Sequence, residues 1–356
     1  MRIGLIIYGS LDILSGGYLY DRKLVVYLRN QGHDVAIFSQ PQMSYRGRLS
    51  HNFSLKFARQ IQAYQPDILL QDELNHPSLF MLNRFLRKQI SCPFISIVHH
   101  LYTSELGLSF RKPFLEAIEK HYLAPLDGFI FNSNTTKQVV ENLIGPVSHQ
   151  VVALPGKDNV TLDIDEAFIH ARVSQERPLQ IIFVGNVTPR KSLHLLVKGF
   201  AKLALGQAVL KVVGNCEVDP DYVAQVKASI HQQGLDNVVQ FLGKVPDDVL
   251  ADTLRSGDIL AVPSSYEGFG IVYVEALGAG LPVIAGNRGG SQEIVQTGQN
   301  GFLVSQDEND IAAALNHVLD KKDGLAQMSV AALQRYKQFP TWAESMARIC
   351  DFLETF

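Results

Sequence analysis

An α/β fold made of two doubly wound domains is what this sequence predicts, and three observations carry the prediction. Short apolar strands alternate with amphipathic helices from the first residues onward. The alternation pauses in a polar stretch between Lys157 and Arg177, which contains Asp158, Asp163 and Asp165, and then starts again. A chain of 356 residues with 46% hydrophobic content is too long for one core of usual size and ample for two.

Taken in order, RIGLIIYG reads as a buried strand, YDRKLVVYLRNQG as a helix stopping at Gly32, and HDVAIFS as the next strand. Runs of Val, Ile, Leu and Phe this short, closed by Gly, Asn or Asp, fit strands buried on both faces of a parallel sheet. PDILLQDE, PFISIVHH and GFIFNSN continue the first series. The second series opens with the strand LQIIFVGN, the helix SLHLLVKGFAKLA and the strand VLKVVGN. It goes on through the helix YVAQVKASIHQQG, the strands NVVQFLGKV and DILAVPS, a helix from Ile271, and PVIAG. Helices around IAAALNHVLD and WAESMARICDFLETF follow. The expected domains are residues 1–157 and 158–340, the first completed by a C-terminal helix, 341–356, that crosses back to it. Doubly wound sheets bind ligands outside the carboxyl ends of their strands, so the expected site is a central cleft that the two domains face.

Composition narrows the function classes. No apolar run reaches the length of a membrane span, and MRIGLIIYGS lacks the apolar core and cleavage segment of a signal peptide. Cys92, Cys216 and Cys350 are odd in number and without metal-ligand spacing, which suits a reducing compartment and a cytoplasmic location. Residues 1–150 hold 15 Lys and Arg against 11 Asp and Glu, a charge of +4, and the remainder carries −7. Part of the basic excess lies in YRGRLSHNFSLKFARQ, where Arg46, Arg48, Lys56 and Arg59 mix with Tyr45, Phe53, Leu55 and Phe57. The stretch reads either as a solvated helix face or as a surface for an anionic lipid or acceptor, with peripheral contact at the inner membrane face. Nothing in the charge pattern calls for nucleic acid.

The chemistry concentrates in SYEGFGIVYVEALGAGLPVIAGNRGG, Ser265 to Gly290, where Glu267 and Glu275 stand in an apolar, glycine-punctuated stretch. Carboxylates near a core need donors, and a ligand rich in hydroxyls supplies them. Glu267 falls on the loop after DILAVPS, and the segment from Ile271 begins a helix whose first N–H groups suit a diphosphate. Gly268 and Gly270 let the backbone approach a ligand, Phe269 and Ile271 flank that approach, and Glu275 could chelate a ribose diol one turn into the helix. Arg190 and Lys191, after the strand IIFVG, place positive charge where a diphosphate needs it.

In this order, FVGNVTPRKSLHLLVKGFAKL, KVVGN, the long segment from VQFLGKV to SQEIV, and QNGFLV resemble retaining glycosyltransferases of family four, which have the GT-B fold. The family signature is a Glu, seven residues and a second Glu; Glu267 and Glu275 fit it without gaps. The resemblance implies that Glu275 binds the nucleotide ribose, that Glu267 contacts hydroxyls of the transferred sugar, and that Lys191 faces the phosphates. In the first half it rests on Gly16 and Gly17, on the strand ending in VHH, and on DGFIFNSNTT. It implies a phosphate and acceptor role for the glycine pair and contact of His99 with the sugar. Alternation along a strand lets only one of His99 and His100 face the site in that way, and His99 is favoured. Many members carry an arginine where this chain has Asn186; either Arg190 supplies that charge or the phosphate grip is weaker.

Asp72, Glu73, Asn75 and His76, at another strand end, form either an acceptor surface or a capped loop. GFGIVY ends in Tyr273 where a dinucleotide fingerprint needs glycine, and no phosphate-binding loop with Gly-Lys-Ser or Gly-Lys-Thr occurs. Asp163 with Asp165 and Asp219 with Asp221 read as turn chemistry, so no metal and no cofactor is expected. Ser291 reads as a helix cap after Gly289 and Gly290, or the segment is a further donor-binding helix start. The function expected is transfer of a sugar from a nucleotide diphosphate donor to a hydroxyl acceptor, such as a glycan or lipid-linked intermediate, with retained configuration. A nucleotide-sugar epimerase and a non-catalytic binding relative are the competing readings.

Overall fold

In the computed structural model, which describes residues 1–105, 110–204, 206–320 and 322–356, the chain divides into two units. One comprises Met1–Pro155 with Thr341–Phe356, the other Gly156–Pro340. The first unit holds a six-stranded sheet: β1 Arg2–Tyr8, β2 Asp34–Gln40, β3 Ile68–Asp72, β4 Phe94–Val98, β5 Gly128–Phe131 and β6 Gln150–Val152. Its strand order is β2-β1-β3-β4-β5-β6, and every pair is parallel. β3, β4 and β5 are buried at every residue, as strands covered on both faces are, and the polar residues among them are paired: Gln71 exchanges hydrogen bonds with Asn83, and the Ser96 hydroxyl meets that of Tyr122. Leu69, Phe94, Phe129 and Phe131 pack there with Ile61, Leu82 and Leu86 from the covering helices.

The second unit repeats the plan with β7 Leu179–Val184, β8 Ala208–Val213, β9 Val239–Gly243, β10 Ile259–Val262, β11 Val283–Gly286 and β12 Gly301–Val304. The order is β12-β11-β10-β7-β8-β9, again all parallel. In each sheet the order reverses once, between β1 and β3 and between β7 and β10. A crevice forms outside the carboxyl ends of the strands at such a reversal, so the loops that follow these four strands are where a ligand is best met.

Several local details differ from expectation. Helix α1 spans Gly16–Asn30, so Gly16 and Gly17 are its first two residues and not a loop; the Ser15 hydroxyl caps it by accepting from the Tyr18 N–H. The polar stretch before Arg177 contains the helix Glu166–Val173, inside the second unit and capped by Asp165. Asp219 likewise caps Pro220–Gln232. Ser291 is no cap: its hydroxyl donates to the Gly286 carbonyl, and the helix it opens ends at Ile294.

The helix Trp342–Leu353 belongs to the first unit, where Ser345 donates to the Leu154 carbonyl and Trp342 meets Tyr20 edge-on. Among the described residues no helix is long and apolar enough to cross a membrane, and Cys92, Cys216 and Cys350 are free thiols.

The basic stretch Tyr45–Gln60 does not present one face. Arg46, Lys56 and Arg59 are exposed, together with Phe53 and Leu55, but Phe57 is buried in the core. Arg48 lies over the Tyr8 ring, 4.3 Å from its centroid, with its Nε donating to the Met43 carbonyl.

Candidate active site

In the second unit the loops after β7 and β10 are tied together. The Ser265 N–H donates to the Arg190 carbonyl at 2.8 Å, and Arg190 returns an Nη1 contact of 3.0 Å to the Tyr266 carbonyl. This brings Lys191 Nζ to 2.6 Å from Glu267 Oε1, with Arg190 Nη1 at 3.3 Å from the same oxygen. Glu267 is buried, which alone would raise its pKa; Lys191 and Arg190 overcome that and pull the carboxyl down to about 2. Glu267 is therefore a fixed anion between two cations.

The main chain around Glu267 is braced by the next loop. Gly290 N–H donates to the Glu267 carbonyl at 2.8 Å. Gly289 lies at φ +85°, and a Cβ there would sit 2.0 Å from the same carbonyl oxygen, so only glycine lets the two segments touch.

Glu275 lies on the helix Ile271–Gly278, whose N-cap Gly270 has φ 106°. It is 7% exposed, burial raises its pKa, and its Oε1 accepts from Asn159 Nδ2 at 2.7 Å. One carboxylate oxygen is thereby engaged. Phe269 turns away from the loop surface: it is 3% exposed and packs edge-on against Phe339, so only its backbone can meet a ligand. Gly270 and Ile271 begin the helix whose first N–H groups have no partner within it. Asn159 lies outside the motif, 116 residues from Glu275 in the sequence.

In the first unit the ends of β1, β3 and β4 converge. His99 follows β4, is buried, and places Nε2 3.1 Å from Asp21 Oδ1 on α1. Burial opposes protonation of this ring, but Asp21, with Asp72 and Glu73 behind it, raises its pKa to about 9. His100 is half-buried and pairs instead with Glu105 at 2.9 Å, so the two histidines do point different ways. Gly16 is exposed, whereas Gly17 lies under the His99 ring.

Glu73, Asn75 and His76 do not form an acceptor surface. They are 0%, 0% and 2% exposed, because Asp72 caps the short turn Glu73–Asn75 and folds it inward. His76 Nδ1 lies 3.0 Å from Glu73 Oε1, and its Nε2 is 3.2 Å from the Tyr45 hydroxyl. Burial pushes Glu73 up to about 8 and Glu119 up to about 7, and drives His76 down to about 4. Two buried groups, Asp21 with Asp72 and His99, and Glu73 with His76 and Glu119, have ligand atoms within 4.8 Å of one another, as a metal ion would need. In the second group burial favours the protonated form of Glu73 and of Glu119.

The family model for glycosyl transferases group 1 matches residues 165–335, and that for glycosyltransferase family 4 matches residues 20–156. The phosphatidyl-myo-inositol mannosyltransferase of Mycolicibacterium smegmatis is 25% identical over 384 residues, covering 100% of this chain and 94% of the relative. The D-inositol 3-phosphate glycosyltransferase of Streptosporangium roseum is 29% identical over 250 residues, 65% of this chain and 56% of the relative. The chain thus spans only about half the length of the inositol-phosphate relatives it matches.

Among solved structures, sucrose-phosphate synthase of Thermosynechococcus elongatus superposes with a TM-score of 0.84 at 20% identity, covering 99% of this chain and 98% of the other. HepE of Anabaena, in complex with UDP and glucose, gives a TM-score of 0.78 at 20% identity over 100% of both chains. The solved structures share the GT-B fold of two doubly wound sheets, and the two family models, which between them match most of the chain, place it in the family-four glycosyltransferases, to which it belongs.

Proposed function

We propose that this chain transfers a sugar from a nucleoside diphosphate sugar to a hydroxyl of an acceptor, with retention of anomeric configuration. The observation that carries the reading is the join of Lys191, Arg190 and Glu267 at the strand-order reversal of the second unit, beside the helix start at Gly270 and Ile271. Lys191, Arg190 and the helix N–H groups meet the departing diphosphate, and Glu275 takes the ribose diol. Glu267 accepts hydrogen bonds from the transferred sugar; a carboxyl held at about 2 is too weak a base to take a proton. In the first unit, His99 is assigned contact with a sugar hydroxyl, and Gly17 leaves room for its ring. The reading calls for no metal and no cofactor. HepE is described with UDP and UDP-glucose, which puts uridine nucleotides first among donors to try.

Incubation with a panel of nucleotide sugars and cell extract, scored for nucleotide release and product mass, tests the activity. Retention of the donor's anomeric configuration is checked by NMR of the product. For the ribose role, Glu275→Ala is expected to weaken nucleoside diphosphate binding by about 1.5–3 kcal/mol, the range for hydrogen bonds to a charged group. Calorimetry on the folded variant decides it, and unchanged affinity removes Glu275 from the site.

A lipid-linked acceptor is favoured by one observation: Phe53 is 71% exposed and Leu55 52%, close in sequence to the exposed cations Arg46, Lys56 and Arg59. On this reading the protein co-sediments with anionic vesicles at low salt and is released at high salt, each basic side chain contributing about 1 kcal/mol near the surface. Replacing the three cations by glutamine should abolish the binding. Wild-type protein that stays in the supernatant at low salt points to a soluble acceptor, such as a glycan.

A further inference from the structure

We propose that Asp21 is a positioning residue, which grips the His99 imidazole at Nε2 so that the ring works as a fixed hydrogen-bond donor and not as a base. The inference rests on the reading of His99 as part of the transfer site. Its origin is in the spacing of GGYLYD. Ser15 starts the helix, and residues four apart share a helix face, so Gly17 and Asp21 both face the end of β4. Gly17 leaves room for the ring: a Cβ there would sit 3.1 Å from His99 Cδ2. One turn on, Asp21 is 0% exposed and reaches Nε2 at 3.1 Å.

The rest of the surroundings fix the ring rather than free it. Asn132 Nδ2 donates to the His99 carbonyl at 2.9 Å, which holds the backbone. Tyr20 meets the ring edge-on, with centroids 5.4 Å apart, which limits its rotation. A carboxylate only accepts, so the nitrogen facing Asp21 must carry hydrogen in either protonation state. The charged and titratable groups that bear on His99 are Asp21 from α1, and Asp72 and Glu73 from the end of β3; His100 follows it in the chain. Asp21 favours the imidazolium most, and Asp72 and Glu73 add to it where they are ionised. In that form both nitrogens donate, and the ring has no lone pair with which to take a proton from an acceptor hydroxyl. A substrate oxygen that accepts is the partner this arrangement suits. Asp21 has a second oxygen, Oδ2, without a hydrogen bond, so its negative charge is not dissipated among other donors.

The test uses the full-length chain and two kinds of readout. Imidazole nitrogen NMR on the wild type should show His99 with hydrogen on Nε2 and titrating near pH 9. Asp21→Asn keeps the shape and removes the charge. It is expected to lower the His99 pKa, to move the alkaline limb of the kcat profile to lower pH, and to reduce kcat about tenfold at pH 8 while KM for the donor changes little. A merely structural aspartate would lower the melting temperature and leave the limb in place. Asp21→Glu, which restores the charge, should recover part of the rate. A neutral wild-type ring with hydrogen on Nδ1 overturns the inference even if the variants fail to fold, and so does an unchanged alkaline limb in folded Asp21→Asn. His99→Ala with wild-type turnover is a different failure: it removes His99 from the reaction and the reading beneath the inference with it.

Discussion

Replacing Lys191 by alanine is expected to lower kcat by about 10²–10³-fold, the loss typical of removing one donor aimed at developing negative charge. The effect follows from its place in the cluster. Lys191 is the nearer and more buried of the two cations on Glu267, at 2.6 Å and 12% side-chain exposure, against 3.3 Å and 33% for Arg190. The variant leaves Glu267 with a single, more distant counter-charge. Removing the only partner of a buried ion costs about 3–5 kcal/mol, so with Arg190 retained the stability loss should fall below that range. Arg190→Ala should lose less on both counts. Steady-state kinetics on the two variants, with melting temperatures to confirm folding, separates the contributions. Wild-type turnover in folded Lys191→Ala would place the lysine outside the chemistry and leave it as a structural partner of Glu267.

Raising the pH from 5 to 9 is expected to lower the melting temperature of the first unit, and Glu73→Gln should remove a large part of that fall. Glu73 and Glu119 bind protons more tightly folded than unfolded, from an ordinary value of 4.5 up to about 8 and about 7. Their contribution is complete below about pH 4.5 and is lost as pH rises through those folded values. His99, raised to about 9, acts in the same sense above pH 6.5. His76, lowered to about 4, acts oppositely, its contribution being present above 6.5 and lost as pH falls through 4. Glu267 contributes above its unfolded value of 4.5 and loses that only as pH falls through about 2, so it takes no part between 5 and 9. Glutamine at position 73 cannot ionise, so the variant should melt higher than wild type at pH 9, by about 5 °C or more, and gain nothing at pH 5. Calorimetric melting at the two pH values reads this directly. Parallel curves for the two proteins would show that Glu73 is not the group that titrates.

What could be read before folding was known depended on how local each signal was. β3, β4 and β5 are rich in aliphatic and aromatic residues, which is enough to read them as buried strands, although the burial of Gln71, Asp72 and Ser96 within them is not written in that composition. β6 and β12 are edge strands of three and four residues, Gln150–Val152 and Gly301–Val304, too short for their apolar residues to be told from those of a loop. The helix Glu166–Val173 is short and polar at its start; what secures it is Arg172, whose guanidinium donates to the carbonyls of Ala279 and Gly280 more than 100 residues away. Such a partner leaves no trace in nearby sequence.

The candidate site divides in the same way. Glu267, Glu275 and Lys191 stand in a motif with fixed spacing. Asn159 is 116 residues from Glu275, and Asp21 is 78 from His99, so both pairings needed coordinates. Glu73, Asn75 and His76 were found as a polar set at a strand end, but their direction was not legible. The Asp72 cap turns them inward, and the set is buried.

The return of Thr341–Phe356 to the first unit has a consequence for how the chain comes into being. The second unit is one uninterrupted stretch, so all of it is synthesised before the segment that finishes the first unit. Until then Leu154 lacks the hydroxyl of Ser345, and Tyr20 lacks its aromatic neighbour. The earlier-made half of the molecule is therefore the later one to mature, and it must stay soluble through the whole synthesis of its companion. The chain's single tryptophan, Trp342, lies in the closing segment, so its fluorescence marks the moment of completion.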